Sequence, residues 1–161
     1  MNNAPRARLT GGPCALLLMI AAGCAPAPGT LNTPAGGSSV PSSIVDPYLT
    51  IQTALATGRM DEVKASAGNI ATAAAPFGAP AFKIGTAAAQ LTSAIELSDA
   101  REKFGRLSDA VITYMDGLHL IPPEGVRIAS CESTQQQWLQ QGDSIANPYD
   151  ESSVPACGSF R

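Results

Sequence analysis

Residues 131–157 constrain this chain more than any other stretch. They read Cys131-Glu-Ser-Thr-Gln-Gln-Gln-Trp138-Leu139-Gln-Gln-Gly-Asp-Ser-Ile145-Ala-Asn147-Pro148-Tyr149-Asp-Glu-Ser-Ser-Val154-Pro-Ala-Cys157. Two cysteines bracket the only tryptophan and an Asn-Pro-Tyr turn, with no long apolar periodicity between them. Such a segment buries too little apolar surface to offset its own ordering entropy. It has to be pinned, either by a Cys131–Cys157 bond or by a metal ion held between the two sulfurs.

The compartment bears on that choice. Arg6 and Arg8 precede a short apolar run, Leu16-Leu17-Leu18-Met19-Ile20, and then Ala21-Ala22-Gly23-Cys24. The run is too short for a permanent bilayer span and reads as an export signal over 1–23. Small residues before a cysteine resemble the lipobox of bacterial lipoprotein precursors, which makes Cys24 the lipid-attachment residue. The alternative is an ordinary secretory peptide, with Cys24 a spare thiol. Ala25 rather than Asp after the cysteine points, by analogy with such lipoproteins, to the outer membrane, the chain facing the periplasm. Loss of 1–23 removes Arg6 and Arg8 and no acid, so 8 basic residues face 13 acidic ones, a net charge of −5. An acidic chain without a Lys/Arg cluster excludes nucleic acid and leaves the lipid as the membrane contact. With Cys14 in the signal and Cys24 acylated, Cys131 and Cys157 remain as two thiols in an oxidising compartment. There a disulfide is the default pairing, contributing about 3 kcal/mol in the chain-entropy model. Metal binding would have to recruit Glu132, Asp150, Glu151 or the only histidine, His119.

Residues 24–45 are rich in Pro, Gly, Ser and Ala and read as a flexible tether. Asp46-Pro47 then predicts the opening of a first helix, with Tyr48, Ile51 and Leu55 inward and Gly58 as its stop. A second helix is predicted over 60–75, with Met60, Val63, Ala67, Ile70 and Ala74 on one face. After Pro76-Phe77-Gly78-Ala79-Pro80, a third is predicted over 81–97 with Ile84, Ala88, Leu91 and Ile95 inward. Asp99 and Glu102 resemble a capping pair for a fourth, which carries Phe104, Leu107, Val111, Met115 and Leu118 inward. No stretch reads as a strand. The expected domain is therefore all-α over 46–161: an antiparallel four-helix up-and-down bundle with an irregular, cysteine-bracketed C-terminal cap. Trp138, Asn147, Pro148 and Tyr149 are the structural residues of that cap. His119, between leucines past the fourth helix, reads as a capping or surface residue, and Met60 and Met115 as core.

Several of these segments also resemble a known family. Tyr48-Leu-Thr-Ile-Gln-Thr-Ala-Leu, Ala100-Arg101-Glu-Lys-Phe104-Gly-Arg-Leu107-Ser108, Cys131, Trp138-Leu139-Gln140, Ile145-Ala-Asn147-Pro148-Tyr149 and Cys157-Gly158 follow in order. The series, covering 47–158, resembles the bacterial domain-of-unknown-function family 3347. Its members are exported lipoproteins or are fused to periplasmic adaptors of copper and silver efflux systems. The resemblance implies periplasmic copper handling or docking on such an adaptor. The chain departs from the family where metal chemistry would lie. The family's Cys-Pro-Met is Cys131-Glu132-Ser133 here, its Met before the second cysteine is Val154, and a Tyr-Gly is Asp150-Glu151. Thioethers and thiolates are what Cu(I) selects, so both soft thioethers are gone.

No nucleophile elbow, phosphate loop or paired histidines occur, so the sequence reads as non-enzymatic. The expectation is a lipid-anchored periplasmic binding module in copper handling or adaptor docking. The alternative is a structural or protein-interaction lipoprotein with a disulfide-stapled cap and no metal site. No cofactor is expected; Cu(I) enters only if Cys131 and Cys157 are reduced, with His119 as an added ligand in that case.

Overall fold

A computed structural model describes residues 38–150 and 157–161. The signal over 1–23, Cys24, the tether up to residue 37, Glu151 and Val154 lie outside the described residues. Four helices come first: α1 Ser42–Ala56, α2 Met60–Ala74, α3 Phe82–Thr92 and α4 Leu97–Leu118. Three strands follow: β1 Val126–Cys131, β2 Gln136–Gln141 and β3 Ser159–Phe160. The strands form one antiparallel sheet in the order β2-β1-β3. The fold is mixed α/β, which corrects the all-α expectation.

The correction has a physical origin. Each helix packs mainly on the next in sequence, while α1 and α4 barely meet. In a four-helix bundle the fourth helix would close on the first. Here β2 packs against both α1 and α4 and takes that closing position. The helical stripes bury small residues at Ala54, Ala67, Ala74, Ala87, Ala88 and Ala100, which limits the apolar area each contact can remove from water. Trp138 and Leu139 of β2 supply some of the missing bulk, both fully buried. The cap expected to be irregular is thus a sheet joined to the main core.

Helix boundaries also shift. α1 starts at Ser42 rather than Asp46, so Pro47 lies inside the helix. The apolar stripe simply begins a turn earlier, with Ile44 and Val45 buried, inside the stretch read as tether. Pro47 leaves the carbonyl of exposed Ser43 without its usual donor, and water can serve there. α3 stops at Thr92, and Ile95, expected inward, is 88% exposed. Thr92 and Ser93 donate their hydroxyls to the carbonyls of Ala89 and Gln90, both at 2.7 Å. Such local bonds compete with helix continuation.

The capping pair for α4 takes a different form. Asp99 reaches back to accept the N–H of Ile95 at 3.0 Å, and no side chain caps from Glu96. Asp99 also accepts Lys103 Nζ at 2.7 Å, and Glu102 pairs with Arg106 at 2.6 Å. The Lys103 and Ile95 bonds to Asp99 hold its carboxyl below the ordinary range. Of the positions predicted inward, Phe104, Leu107, Val111 and Met115 are buried, and Leu118 is half-buried.

Candidate functional site

The segment between the cysteines organises around one hairpin. Glu132 to Gln135 connect β1 to β2, with Gln135 in the left-handed region at φ 59° and its side chain donating to the Glu132 carbonyl at 2.6 Å. Cys131, the last residue of β1, pairs across the ladder with Gln136. Cys131 and Cys157 are joined by a disulfide, with 5.4 Å between their Cα atoms. Ser133 Oγ lies 3.1 Å from Cys131 Sγ and 3.4 Å from Cys157 Sγ. The hydroxyl therefore sits beside both sulfurs of the bond.

The bond feeds Cys157 and Gly158 into β3. Ser159 and Phe160 pair with Ser130 and Ala129, and Arg161 N–H donates to the Ile128 carbonyl at 2.9 Å. Arg127 stacks over the Phe160 ring at 3.6 Å. Gly158 has a steric reason to be glycine. A Cβ there would stand 2.7 Å from Ile145 Cγ2 and 3.0 Å from Trp138 Cη2.

Successive side chains of a strand point to opposite faces, yet Trp138, Leu139 and Gln140 are all buried. Trp138 and Gln140 share one face, where Trp138 Nε1 donates to Gln140 Oε1 at 2.9 Å. Gln140 Oε1 also accepts Ala146 N–H at 3.1 Å, and its amide donates to the Ser144 carbonyl at 2.8 Å. Gln52 of α1 donates to the Ala146 carbonyl at 2.6 Å. A buried glutamine with these partners fixes the course of 142–146 over Trp138.

Asn147 then does two jobs. Its Oδ1 accepts Tyr149 N–H at 2.8 Å, an Asx turn, while its Nδ2 donates to the Cys157 carbonyl at 2.9 Å. Pro148 is held to α4 through Arg101 Nε, 3.2 Å from its carbonyl oxygen. Tyr149 stacks edge-on to Trp138 at 5.8 Å and lies 5.8 Å from Phe104, which in turn is 5.0 Å from Tyr48.

The two phenols meet at Ser108, fully buried on α4. Tyr48 Oη is 2.5 Å from Ser108 Oγ and accepts Leu139 N–H at 3.2 Å. Tyr149 Oη reaches both Ser108 Oγ at 3.1 Å and the Gln137 carbonyl at 3.2 Å. Tyr149 is the donor to both Ser108 and the Gln137 carbonyl, and shares its one proton between them, while either partner can donate in the Tyr48–Ser108 bond. Burial raises both phenol pKa values well above the ordinary value, so they stay neutral and the chain of hydroxyls is structural.

The structure thus gathers Cys131, Cys157, Trp138, Asn147, Pro148 and Tyr149 into one cap. His119 does not join them. It is exposed, takes the left-handed conformation at φ 53° and ends α4. Among the described residues no group of three His, Cys, Asp or Glu side chains could hold a metal. Sequence reasoning read Tyr48 only as an inward residue of the first helix and assigned no role to Ser108, Gln52 or Gln140. Only polar residues interrupting inward stripes could have flagged them. Replacing both Cys131 and Cys157 by Ser is expected to lower stability by about 3 kcal/mol and to release β3 first. Hydrogen exchange at Ser159, Phe160 and Arg161 would read this out. Unchanged protection of those amides would mean that the strand is held without the bond.

A shallow apolar groove, about 1060 Å3 and lined mainly by Ala and Gly, runs between α2 and α3, with Phe82 at its edge 72% exposed. Among the described residues no helix is long and apolar enough to cross a membrane. Comparison with protein-family models, curated proteins and solved structures finds no match to this chain, so the family resemblance rests on the residues quoted for it.

Proposed function

We propose that the chain is a lipid-anchored module facing the periplasm that works by binding a protein partner rather than by catalysis. The disulfide between Cys131 and Cys157 carries this reading. Such bonds persist in oxidising compartments, in keeping with the export signal and the lipobox at Cys24. Two sulfurs bonded to each other also offer no thiolate to Cu(I). In this reading the oxidised cap is a structural staple, and copper is captured only by a reduced minority. The partner is an envelope protein, with an efflux adaptor of the copper and silver type as the resemblance implies. Exposed Phe82 beside an apolar groove is a surface suited to such contact.

In-cell photo-crosslinking tests the proposal. A crosslinkable residue in place of Phe82 is expected to capture an envelope protein, whereas one in place of Asp143, whose side chain is 99% exposed, captures none. Cys24→Ser should move the chain out of the membrane fraction and abolish the adduct. An equal yield at both positions, or a Cys24→Ser protein still in the membrane fraction, would contradict it.

A further inference from the structure

The two ends of the helical layer differ in composition, and the chain enters at one of them. Ile121 N–H donates to the Ser38 carbonyl at 3.2 Å, and Ser39 and Ile121 form a parallel bridge. The first described residue is therefore held against the loop that follows α4. Ala79, Pro80, Gly117 and Leu118 line one depression, so the α2–α3 turn lies at this same end. Successive helices joined by short connections alternate in direction, which puts the α1–α2 and α3–α4 turns at the far end.

Charge divides unevenly between the two. Residues 38–45, 74–82 and 117–123 contain no Asp, Glu, Lys or Arg. The far end carries Arg59, Asp61 and Glu62 around one turn and Glu96, Asp99 and Glu102 around the other. Among the described residues three large apolar side chains are exposed, and two stand at the Ser38 end: Ile121 at 56% and Phe82 at 72%. Pro41, Pro76, Pro80, Pro122 and Pro123 lie there as well, and a proline has no N–H to be stripped of water. An uncharged surface with few free donors costs little to bring against lipid, whereas the charged far end costs much more.

From this asymmetry and the entry point of the chain we infer that the Ser38 end of the domain rests on the lipid bilayer, with Ile121 entering the interface. The inference rests on the acylation of Cys24 proposed above. Cys24 lies 14 residues before Ser38, and a chain of that length spans at most about 50 Å. The bilayer is then a linked partner at an effective concentration on the order of mM, so a contact too weak for a free protein holds this one. The contact is apolar, in keeping with the lack of a Lys/Arg cluster, and it adds to the acyl anchor. Phe82 stands at the same end, so a partner seated in the α2–α3 groove is met at the bilayer surface.

A nitrobenzoxadiazole label tests this in the acylated full chain, reconstituted in phosphatidylcholine vesicles that carry doxyl-labelled lipid. With Cys131 and Cys157 bonded, a single introduced cysteine takes the label. Gly117→Cys places it at the Ser38 end, where a side chain meets nothing within 4 Å. Ile95→Cys replaces an exposed isoleucine in the α3–α4 turn, about 33 Å away along the 22 residues of α4. Doxyl lipid is expected to quench the Gly117 label at least about threefold more than the Ile95 label, with or without added phosphatidylglycerol. Adding Ile121→Ser should lower the ratio of docked to undocked chain about fivefold at an unchanged Tm, through the loss of apolar area. Equal quenching at the two ends would overturn the inference while the chain still floats with the vesicles. Quenching that requires phosphatidylglycerol, or that ignores Ile121→Ser, would overturn it as well. A chain that does not float with the vesicles would remove the acyl anchor itself, and this inference with it.

Discussion

Leu107→Asp is expected to unfold the domain. Leu107 is fully buried in α4, next to Ser108 in sequence, with its side chain in the common core. The carboxylate would either be buried charged or take up a proton at a large pKa cost, and it would also lose the leucine packing. The loss should exceed about 4 kcal/mol, a large share of the whole stability of a domain this size. Far-UV circular dichroism should show the helical signal lost. A variant that melts with its parent would mean that Leu107 does not face the core.

Trp138→Ala is expected to be nearly as severe, about 3–5 kcal/mol. The indole is fully buried, edge-on to Tyr149, bonded to Gln140 and closed over by Gly158. Because Trp138 belongs to the same core as the helices, its loss should shift the urea midpoint of the helical signal itself. If helices keep their parental midpoint while the cap alone loosens, the cap is a separate folding unit and the closing role given to β2 fails.

The helical half of the fold was legible because its signal is repeated. Val63, Ala67, Ile70 and Ala74 on α2, and Phe104, Leu107, Val111 and Met115 on α4, each mark a face several turns long. The strands carry no comparable signal. β2 is Gln136-Gln-Trp-Leu-Gln-Gln, a glutamine-rich run with Trp138, Leu139 and Gln140 buried in succession, so the alternation of a half-exposed strand is absent. The hairpin turn hides as well, since its left-handed position is Gln135 rather than Gly or Asn. β3 spans only two residues and is placed by the disulfide rather than by its own pattern.

The cap residues themselves were visible as a set. Cysteines bracketing Trp138 and Asn147-Pro148-Tyr149 required a pin, and both ends of that set meet in space. What the sequence left open, bond or metal, is a matter of redox state and three-dimensional neighbours. His119 illustrates the second part: one residue past α4, it caps a helix and remains exposed. The Tyr48–Ser108–Tyr149 chain joins residues 60 and 41 positions apart, beyond the reach of any local pattern.

A Cys131–Cys157 bond pins the cap, and the export proposed above would keep it formed. Thiol-trapping mass spectrometry of the chain taken directly from the envelope tests this. The account predicts a peptide linked through Cys131 and Cys157, no trapped thiol at either, and competition for Cu(I) only after reduction. Both cysteines recovered as trapped thiols, in protein that already holds Cu(I) against a chelator, would contradict it.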